Sequence, residues 1–284
     1  MDIAPGGAHG SHAAGATLVE VFTTAGVDMG SRSVKVVLLA NVAGDTRWVA
    51  SERIRVEGRR DVRDALVAVR EAWVRALRTA GLSSSDVALV ASTGTGEHVC
   101  LRVGHYYKHL SQALGAQYLY AGAEGVLDVG ALQIRCVVVG PDNRIRRHRV
   151  TGLQASCGGE LLERIAQRLG LTGGTARTDP AFWPAQEALA AQALTILRTA
   201  RAKGSVVLTG GMVLDASFVS TLMSRITDSH LPMQLLVCPE ALYAGAYGAA
   251  LLAARRYRRL AQRPIPIRVN VPLSLFDSKR SLLN

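Results

Sequence analysis

The sequence of 284 residues has few cysteines, few aromatic residues and no long apolar run. Its four cysteines are scattered without a Cys-x-x-Cys spacing, which argues against a disulfide framework and a zinc site. No apolar run approaches the length of a membrane span, and no early Lys or Arg precedes an apolar core at the N-terminus. We therefore expect a cytoplasmic protein with no secretory signal and no membrane partner.

Lysine is also scarce. Basic residues outnumber acidic ones by 33 to 22, giving a net charge of +11, and only four of the basic residues are lysines. A basic balance is compatible with nucleic acid, but no nucleic-acid module and no stripe of alternating basic and aromatic residues is recognisable. Because an acidic protein or a phosphate-rich ligand fits the charge at least as well, we expect no nucleic-acid partner.

One pattern occurs twice. Residues 27–39 and 127–139 each contain a strand ending in Asp-x-Gly, a tight turn, a cationic residue and an apolar run. Glycine lets the backbone turn sharply and approach a ligand closely, and successive N–H groups in such a turn hold phosphate oxygens. The aspartates, Asp28 and Asp128, are the candidate catalytic residues, because a carboxylate beside such a turn is suited to hold a hydrated Mg²⁺.

The two copies differ in their polar side chains. In the first, Gly30, Ser31 and Ser33 form the candidate phosphate turn, and Lys35 either reaches a phosphate or lies on a strand face in solvent. A β-hairpin with an Asp-capped turn is the alternative interpretation. In the second, Gly130 is followed by Ala131-Leu132-Gln133, so this turn offers mainly its backbone.

Two further glycine-rich turns follow short apolar strands. They are Thr93-Gly94-Thr95-Gly96 and Thr209-Gly210-Gly211. Ligand-binding loops of open α/β sheets follow strands in this way, and the second turn would permit close approach of an adenine or ribose. Each tripeptide or tetrapeptide is by itself equally compatible with an ordinary turn.

Cys157 precedes Gly158 and Gly159 at a predicted helix N-terminus. Helix N-termini lower the pKa of a thiol and favour the metal-binding thiolate. A small buried apolar side chain is the alternative role for this cysteine.

The order of elements predicts a duplicated α/β organisation. We expect a disordered extension at residues 1–18, a first lobe at 19–117, a second lobe at 118–262 and a basic tail at 263–284. A helix is predicted over residues 62–79, and a terminal helix with a small-residue face over 243–260. The predicted inward face of the first helix consists of Leu66, Val69, Trp73, Val74 and Leu77.

In this order, the two hairpins, the glycine-rich turns, the cysteine motif and the segment 243–250 resemble the ATPase family of benzoyl-coenzyme A reductase subunits and 2-hydroxyacyl-coenzyme A dehydratase activators. The resemblance spans about residues 26–254. Two motifs are most similar to the D-type branch, namely Gly104-His105-Tyr106-Tyr107 and Asp128-Val129-Gly130-Ala131-Leu132. This family belongs to the actin, Hsp70 and sugar kinase superfamily. The resemblance therefore implies an α/β fold of two ribonuclease H-like lobes with an ATPase site.

The resemblance further implies an ATP-binding and ATP-hydrolysing subunit of an anaerobic benzoyl-coenzyme A reductase-type complex. ATP, Mg²⁺ and a [4Fe–4S] cluster shared with a paralogous ATPase subunit are the implied cofactors. Catalytic reductase subunits would receive the low-potential electrons, with ferredoxin as the expected donor. Cys157 matches the cluster ligand. The residues that match the phosphate and adenosine motifs are Asp28, Gly30, Ser31, Ser33, Lys35, Asp128, Gly130, Thr209, Gly210 and Gly211.

Three departures leave two alternatives open. No cysteine stands near Ser111, where the family has another cluster ligand; Ala131-Leu132-Gln133 replaces Gly-Gln-Asp; and the stretch 170–205 is short. The first alternative is an activator ATPase of a 2-hydroxyacyl-coenzyme A dehydratase, against which the missing cysteine argues. The second is a nucleotide-binding scaffold subunit without hydrolysis, which the altered hairpin and the short stretch favour.

Overall fold

The computed structural model describes residues 21–56, 62–100, 102–152, 158–171 and 179–262. The predicted extension at 1–18, the predicted tail at 263–284 and Cys157 lie outside these ranges. The elements, in chain order, are β1 (Val21–Met29), β2 (Ser33–Val42), β3 (Asp45–Arg55), α1 (Val62–Ala80), β4 (Val87–Gly94), β5 (Gly104–Tyr106), α2 (Lys108–Leu119), β6 (Gly125–Val129), β7 (Ile134–Val139), β8 (Ile145–Val150), α3 (Gly159–Arg168), α4 (Trp183–Ala200), β9 (Gly204–Thr209), α5 (Ala216–Asp228), β10 (Met233–Leu236) and α6 (Ala244–Ala261).

Two five-stranded sheets share one topology. The first has the order β3-β2-β1-β4-β5, and the second, read in the same direction, has the order β8-β7-β6-β9-β10. In each sheet the central strand pairs antiparallel with the strand after its hairpin and parallel with a later strand. The predicted duplication of an α/β unit is therefore confirmed.

Helix α1 covers the first sheet with a face that differs in part from the predicted one. Val69, Trp73 and Leu77 are buried as predicted. Val74, however, is 47% exposed, so its predicted inward position was wrong. Alanines complete the buried face, because their small side chains let the helix approach the sheet; these are Ala68, Ala72 and Ala76.

Helices α2 and α6 pack against each other through their backbones. A Cβ atom on Gly248 would lie 1.8 Å from the carbonyl oxygen of Ser111, and one on Gly115 would lie 1.8 Å from that of Ala244. The predicted small-residue face of the terminal helix is thus confirmed, and the helix also packs against the first sheet. The predicted lobe boundary at 117/118 falls in the last turn of α2.

None of the helices in the described ranges is long and apolar enough to cross a membrane.

Candidate functional site

The two hairpins bring equivalent acid–base pairs to one cleft. Asp28 lies opposite Lys35 in the β1–β2 register, and Asp128 lies opposite Arg135 in the β6–β7 register. The Oδ2 of Asp28 lies 3.4 Å from the Nζ of Lys35, and the Oδ2 of Asp128 lies 2.9 Å from the Nη1 of Arg135. Both carboxylates are about 1% exposed. Each aspartate therefore lies in the cleft floor with a cation from its own hairpin.

The hairpin turns have the same backbone geometry. The amide of Gly30 donates to the carbonyl of Ser33, and the amide of Gly130 donates to the carbonyl of Gln133, with N–O distances of 3.0 Å in both. Their polar side chains differ, as the sequence predicts, because Ser31 of the first turn has Ala131 as its counterpart. Both turns line the cleft.

Beside each aspartate, the backbone passes so close to a neighbouring strand that only glycine fits. Gly94 has a φ of +76° and Gly210 a φ of +84°, the left-handed region that favours glycine. A Cβ at Gly94 would lie 2.3 Å from the carbonyl oxygen of Met29, and one at Gly210 would lie 2.5 Å from that of Val129. The two turns predicted separately are thus equivalent parts of the two lobes.

Of the threonines in these turns, Thr95 lies in the cavity lining, whereas Thr93 and Thr209 lie behind it. Thr93 and Thr209 are buried, in register with Asp28 and Asp128 on the neighbouring strands. The hydroxyl of Thr209 donates to the Oδ1 of Asp128 over 3.5 Å, whereas the hydroxyl of Thr93 donates to a backbone carbonyl of β5. Gly96 is also buried outside the cavity lining.

The cleft encloses about 680 Å³, within the size range of small-molecule sites, about 300–1,000 Å³. Residues from both lobes line the same cavity, which therefore lies between the lobes. Of the predicted site residues, those in the lining are Asp28, Gly30, Ser31, Ser33, Lys35, Gly94, Asp128, Gly130, Gly210 and Gly211.

Lys108, the first residue of α2, lies between the two aspartates and was missed by the sequence reasoning. Its Nζ is 3.7 Å from the Oδ1 of Asp28 and 3.9 Å from the Oδ2 of Asp128. No spacing in the sequence relates it to either hairpin. The one available signal is composition, since two of the four lysines of this arginine-rich chain, Lys35 and Lys108, lie in the cleft.

Charge interactions within the cleft set the protonation states. Burial alone raises the pKa of Asp28, but the ammonium groups of Lys108 and Lys35 outweigh burial and hold it below its usual range. Burial alone lowers the pKa of Lys108, but Asp28 and Asp128 outweigh burial and raise it above the usual lysine value. For Lys35 burial prevails over the attraction of Asp28, and its pKa is lowered.

An ion-pair cluster joins the lobes at the edge of the cleft. Arg32, in the turn of the first hairpin, places Nε 3.0 Å from Glu160 and Nη2 2.9 Å from Glu163, both on α3. Burial opposes the ionisation of Glu160, but Arg164 and Arg32 outweigh it and keep the pKa of this carboxyl lowered. No local pattern in the sequence predicts this role for Arg32, because its partners are more than 120 residues away.

The segment that follows Cys157 is bonded to the second hairpin. The amide of Gly159 donates to the carbonyl of Gly130, and the amide of Glu160 donates to that of Ala131, each over 2.9 Å. Within the described residues, no group of three or more His, Cys, Asp or Glu side chains could hold a metal ion. Burial raises the pKa of Cys136 to about 12, so this thiol stays protonated in the core.

This arrangement has the chemistry of an anion site. The lining of the cavity contains both hairpin turns, one from each lobe, and six cationic side chains: Arg32, Lys35, Arg53, Arg55, Lys108 and Arg135. Such groups stabilise the charge of a phosphate chain through charge-assisted hydrogen bonds. The two buried aspartates provide the acceptors needed to orient water beside such a ligand.

Comparison with solved structures identifies the fold. The activator of the 2-hydroxyisocaproyl-CoA dehydratase from Clostridium difficile with bound ADPNP matches 87% of this chain and 99% of its own length, at 18% identity and a TM-score of 0.74. A ROK family glucokinase from Streptomyces griseus in complex with glucose and AMPPNP is also similar, at 15% identity and a TM-score of 0.59. The match covers 82% of this chain and 99% of the glucokinase chain. The predicted two-lobed fold of the actin and sugar kinase type is confirmed.

Sequence comparison identifies the family. The D subunit of benzoyl-CoA reductase from Thauera aromatica is 32% identical in an alignment of length 273 that covers 84% of this chain and 95% of that protein. Residues 25–176, more than half of the chain, match the description BadF/BadG/BcrA/BcrD ATPase family. The chain therefore belongs to the BadF/BadG/BcrA/BcrD ATPase family.

Proposed function

We propose that this chain is the ATP-binding and ATP-hydrolysing subunit of a benzoyl-coenzyme A reductase-type complex. The observation that carries the proposal is the pair of equivalent hairpins, with Asp28 and Asp128 facing one cavity from two lobes. The family and the similarity to the D subunit of a benzoyl-CoA reductase give the reaction class. The dehydratase activator of the same fold, with bound ADPNP, supports an adenine nucleotide as the ligand.

In this proposal the phosphate chain lies between the hairpins. The amides of the turns at Gly30 and Gly130 and the ammonium of Lys35 stabilise the phosphoryl charge, which is the main catalytic contribution expected of a protein in phosphoryl transfer. The segment at Gly210 and Gly211 approaches the nucleoside. Asp28 and Asp128 orient the attacking water.

The proposed partners are a paralogous ATPase subunit, catalytic reductase subunits and a ferredoxin as electron donor. Cys157 would supply a thiolate to a [4Fe–4S] cluster shared with the paralogous subunit, and the cluster would carry low-potential electrons. Support comes from the next residues of the chain, because α3 begins at Gly159 and helix N-termini favour thiolates. Cys136 is unsuited to this role, because it is a buried core thiol with a raised pKa.

Anaerobic co-expression with the products of neighbouring genes tests the proposal. We expect ATP hydrolysis and the electron paramagnetic resonance signal of a reduced cluster from the purified complex. The signal should be lost in Cys157→Ala and kept in Cys100→Ala, a matched control at an exposed free cysteine. An unchanged signal in Cys157→Ala would contradict the assignment of the cluster ligand.

Two alternatives have distinct outcomes in the same experiment. A dehydratase activator would hydrolyse ATP as a homodimer without a paralogous partner. A scaffold subunit would bind ATP without turnover, and the lack of hydroxyl groups at Ala131 and Leu132 in the second turn favours this alternative over the first. The mass of the purified assembly and the ATPase rate of the isolated chain distinguish the three.

A further inference from the structure

We infer that the ammonium group of Lys108 takes the position between Asp28 and Asp128 that a divalent cation would hold, so that this cleft binds a nucleotide polyphosphate without a protein-bound metal ion. The inference rests on the proposed nucleotide site and specifies its ligand: a nucleoside triphosphate whose charge is compensated by side chains. A consequence is that nucleotide binding does not require Mg²⁺.

The geometry of the three side chains is the first argument. The Nζ of Lys108 is within 4 Å of one oxygen of each carboxylate, and these carboxylates come from opposite lobes. The Oδ1 of Asp28 is buried and has no hydrogen-bond donor within bonding distance in the described residues, so Lys108 is the cation that faces it. The space between the aspartates is therefore already occupied by a positive charge.

The charge balance is the second argument. Asp28 and Asp128 are compensated by Lys35, Lys108 and Arg135, so two anionic groups face three cationic ones. All five side chains are at most 21% exposed, so water screens them weakly. A divalent ion between the aspartates would be repelled by the ammonium at close range. A polyphosphate, in contrast, adds the negative charge that this cluster lacks.

The position of Lys108 in its helix is the third argument. It is the first residue of α2, and a cation at a helix N-terminus interacts unfavourably with the helix dipole. The two carboxylates offset this cost, since they raise the pKa of the ammonium despite burial. Lys108 is thus held by the aspartates and not by its helix.

Mn²⁺ titration of the full chain without nucleotide tests the occupancy of this position. Free Mn²⁺ is measured by electron paramagnetic resonance for the wild type, Lys108→Met, Lys108→Arg and the control Lys203→Met, whose lysine is exposed and outside the cleft lining. We expect Lys108→Met to bind one Mn²⁺ that the other three proteins do not bind. Equal Mn²⁺ binding by the wild type and Lys108→Met would overturn the inference.

ATP binding is then measured by calorimetry with Mg²⁺ and with excess EDTA. We expect the dissociation constant of the wild type to change by less than about tenfold between these conditions, and that of Lys108→Met to rise by about tenfold or more in EDTA. If Lys108→Met does not fold, the wild type and Lys108→Arg still test the inference, because both should bind ATP in EDTA. Wild-type binding that needs Mg²⁺ overturns the inference and leaves the proposed function intact. Absence of binding in both conditions overturns the proposed function.

Discussion

Arg32 and Glu160 form an ion pair across the cleft, with the guanidinium Nε 3.0 Å from the carboxylate Oε2. Arg32 belongs to the turn of the first hairpin and Glu160 to the first turn of α3. The same guanidinium contacts Glu163 one helical turn later. The pair therefore ties the turn proposed to contact phosphate to a helix of the second lobe.

We expect Arg32→Ala to loosen both segments that this pair joins. Partly exposed ion pairs contribute about 0.2–1 kcal/mol each, so amide hydrogen exchange in residues 30–33 and at the start of α3 should accelerate by about threefold to tenfold. Mass spectrometry of peptic fragments measures this rate. Arg164→Ala is the matched control, because it removes another partner of Glu160 and leaves the cross-cleft pair intact. Equal exchange at residues 30–33 in Arg32→Ala and the wild type would contradict the prediction.

Asp28→Asn is expected to destabilise the fold. The substitution keeps the shape of the side chain and removes one of two carboxylates that compensate three buried or half-buried cations. Removal of one partner from a buried ion pair costs about 3–5 kcal/mol, because the remaining charge stays buried. Urea unfolding followed by circular dichroism measures the loss. The exposed Asp45→Asn should stay within about 0.5 kcal/mol of the wild type, and an equally small loss for Asp28→Asn would contradict the burial of this cluster.

The same variant should change how the unfolding free energy depends on pH under acidic conditions. Because the folded-state pKa of Asp28 lies below its ordinary value of 3.8, this carboxylate stabilises the fold above pH 3.8. That contribution is lost as the pH falls from 3.8 through the folded-state pKa. The unfolding free energy of the wild type should therefore decline more steeply below pH 3.8 than that of Asp28→Asn, and the two curves should converge. Parallel curves would show that Asp28 does not have a lowered pKa.

Local patterns were sufficient to predict the hairpins but not helix α2. Alternation and glycine identify a hairpin within a dozen residues, and the strands beside Gly30 and Gly130 form as predicted. Helix α2 is buried without interruption from Ser111 to Ala116, so it has no amphipathic stripe. Its packing depends on backbone contact between Gly115 and Ala244, which are far apart in sequence. The position of Lys108 could not be predicted, because it depends on this helix.

The glycine-rich turns show the same limit in another way. The sequence predicts Gly94 and Gly210 as parts of two separate loops, and their identical relation to Asp28 and Asp128 follows only from parallel strand pairing. Such pairing joins residues more than 60 positions apart, so no local sequence pattern predicts it. The roles of these residues toward ATP and the role of Cys157 toward a cluster stay predictions.

Adjacent glycines in the second lobe provide the sharpest test of the cleft floor. Gly210 has a φ of +84°, and a Cβ there would lie 2.7 Å from the Oδ1 of Asp128; at Gly211 a Cβ would meet nothing within 4 Å. The left-handed conformation alone costs an alanine about 1–2 kcal/mol, and the contact adds to this cost. We expect Gly210→Ala to lower the unfolding free energy by more than about 2 kcal/mol and to weaken ATP binding, since the strain falls on Asp128.

Gly211→Ala should unfold as the wild type does, and any effect on ATP would then report nucleoside contact alone. Urea unfolding measures the stability of both variants, and calorimetry measures their ATP binding. Equal stability of the two variants would contradict the close contact between the turn at Gly210 and the carboxylate of Asp128.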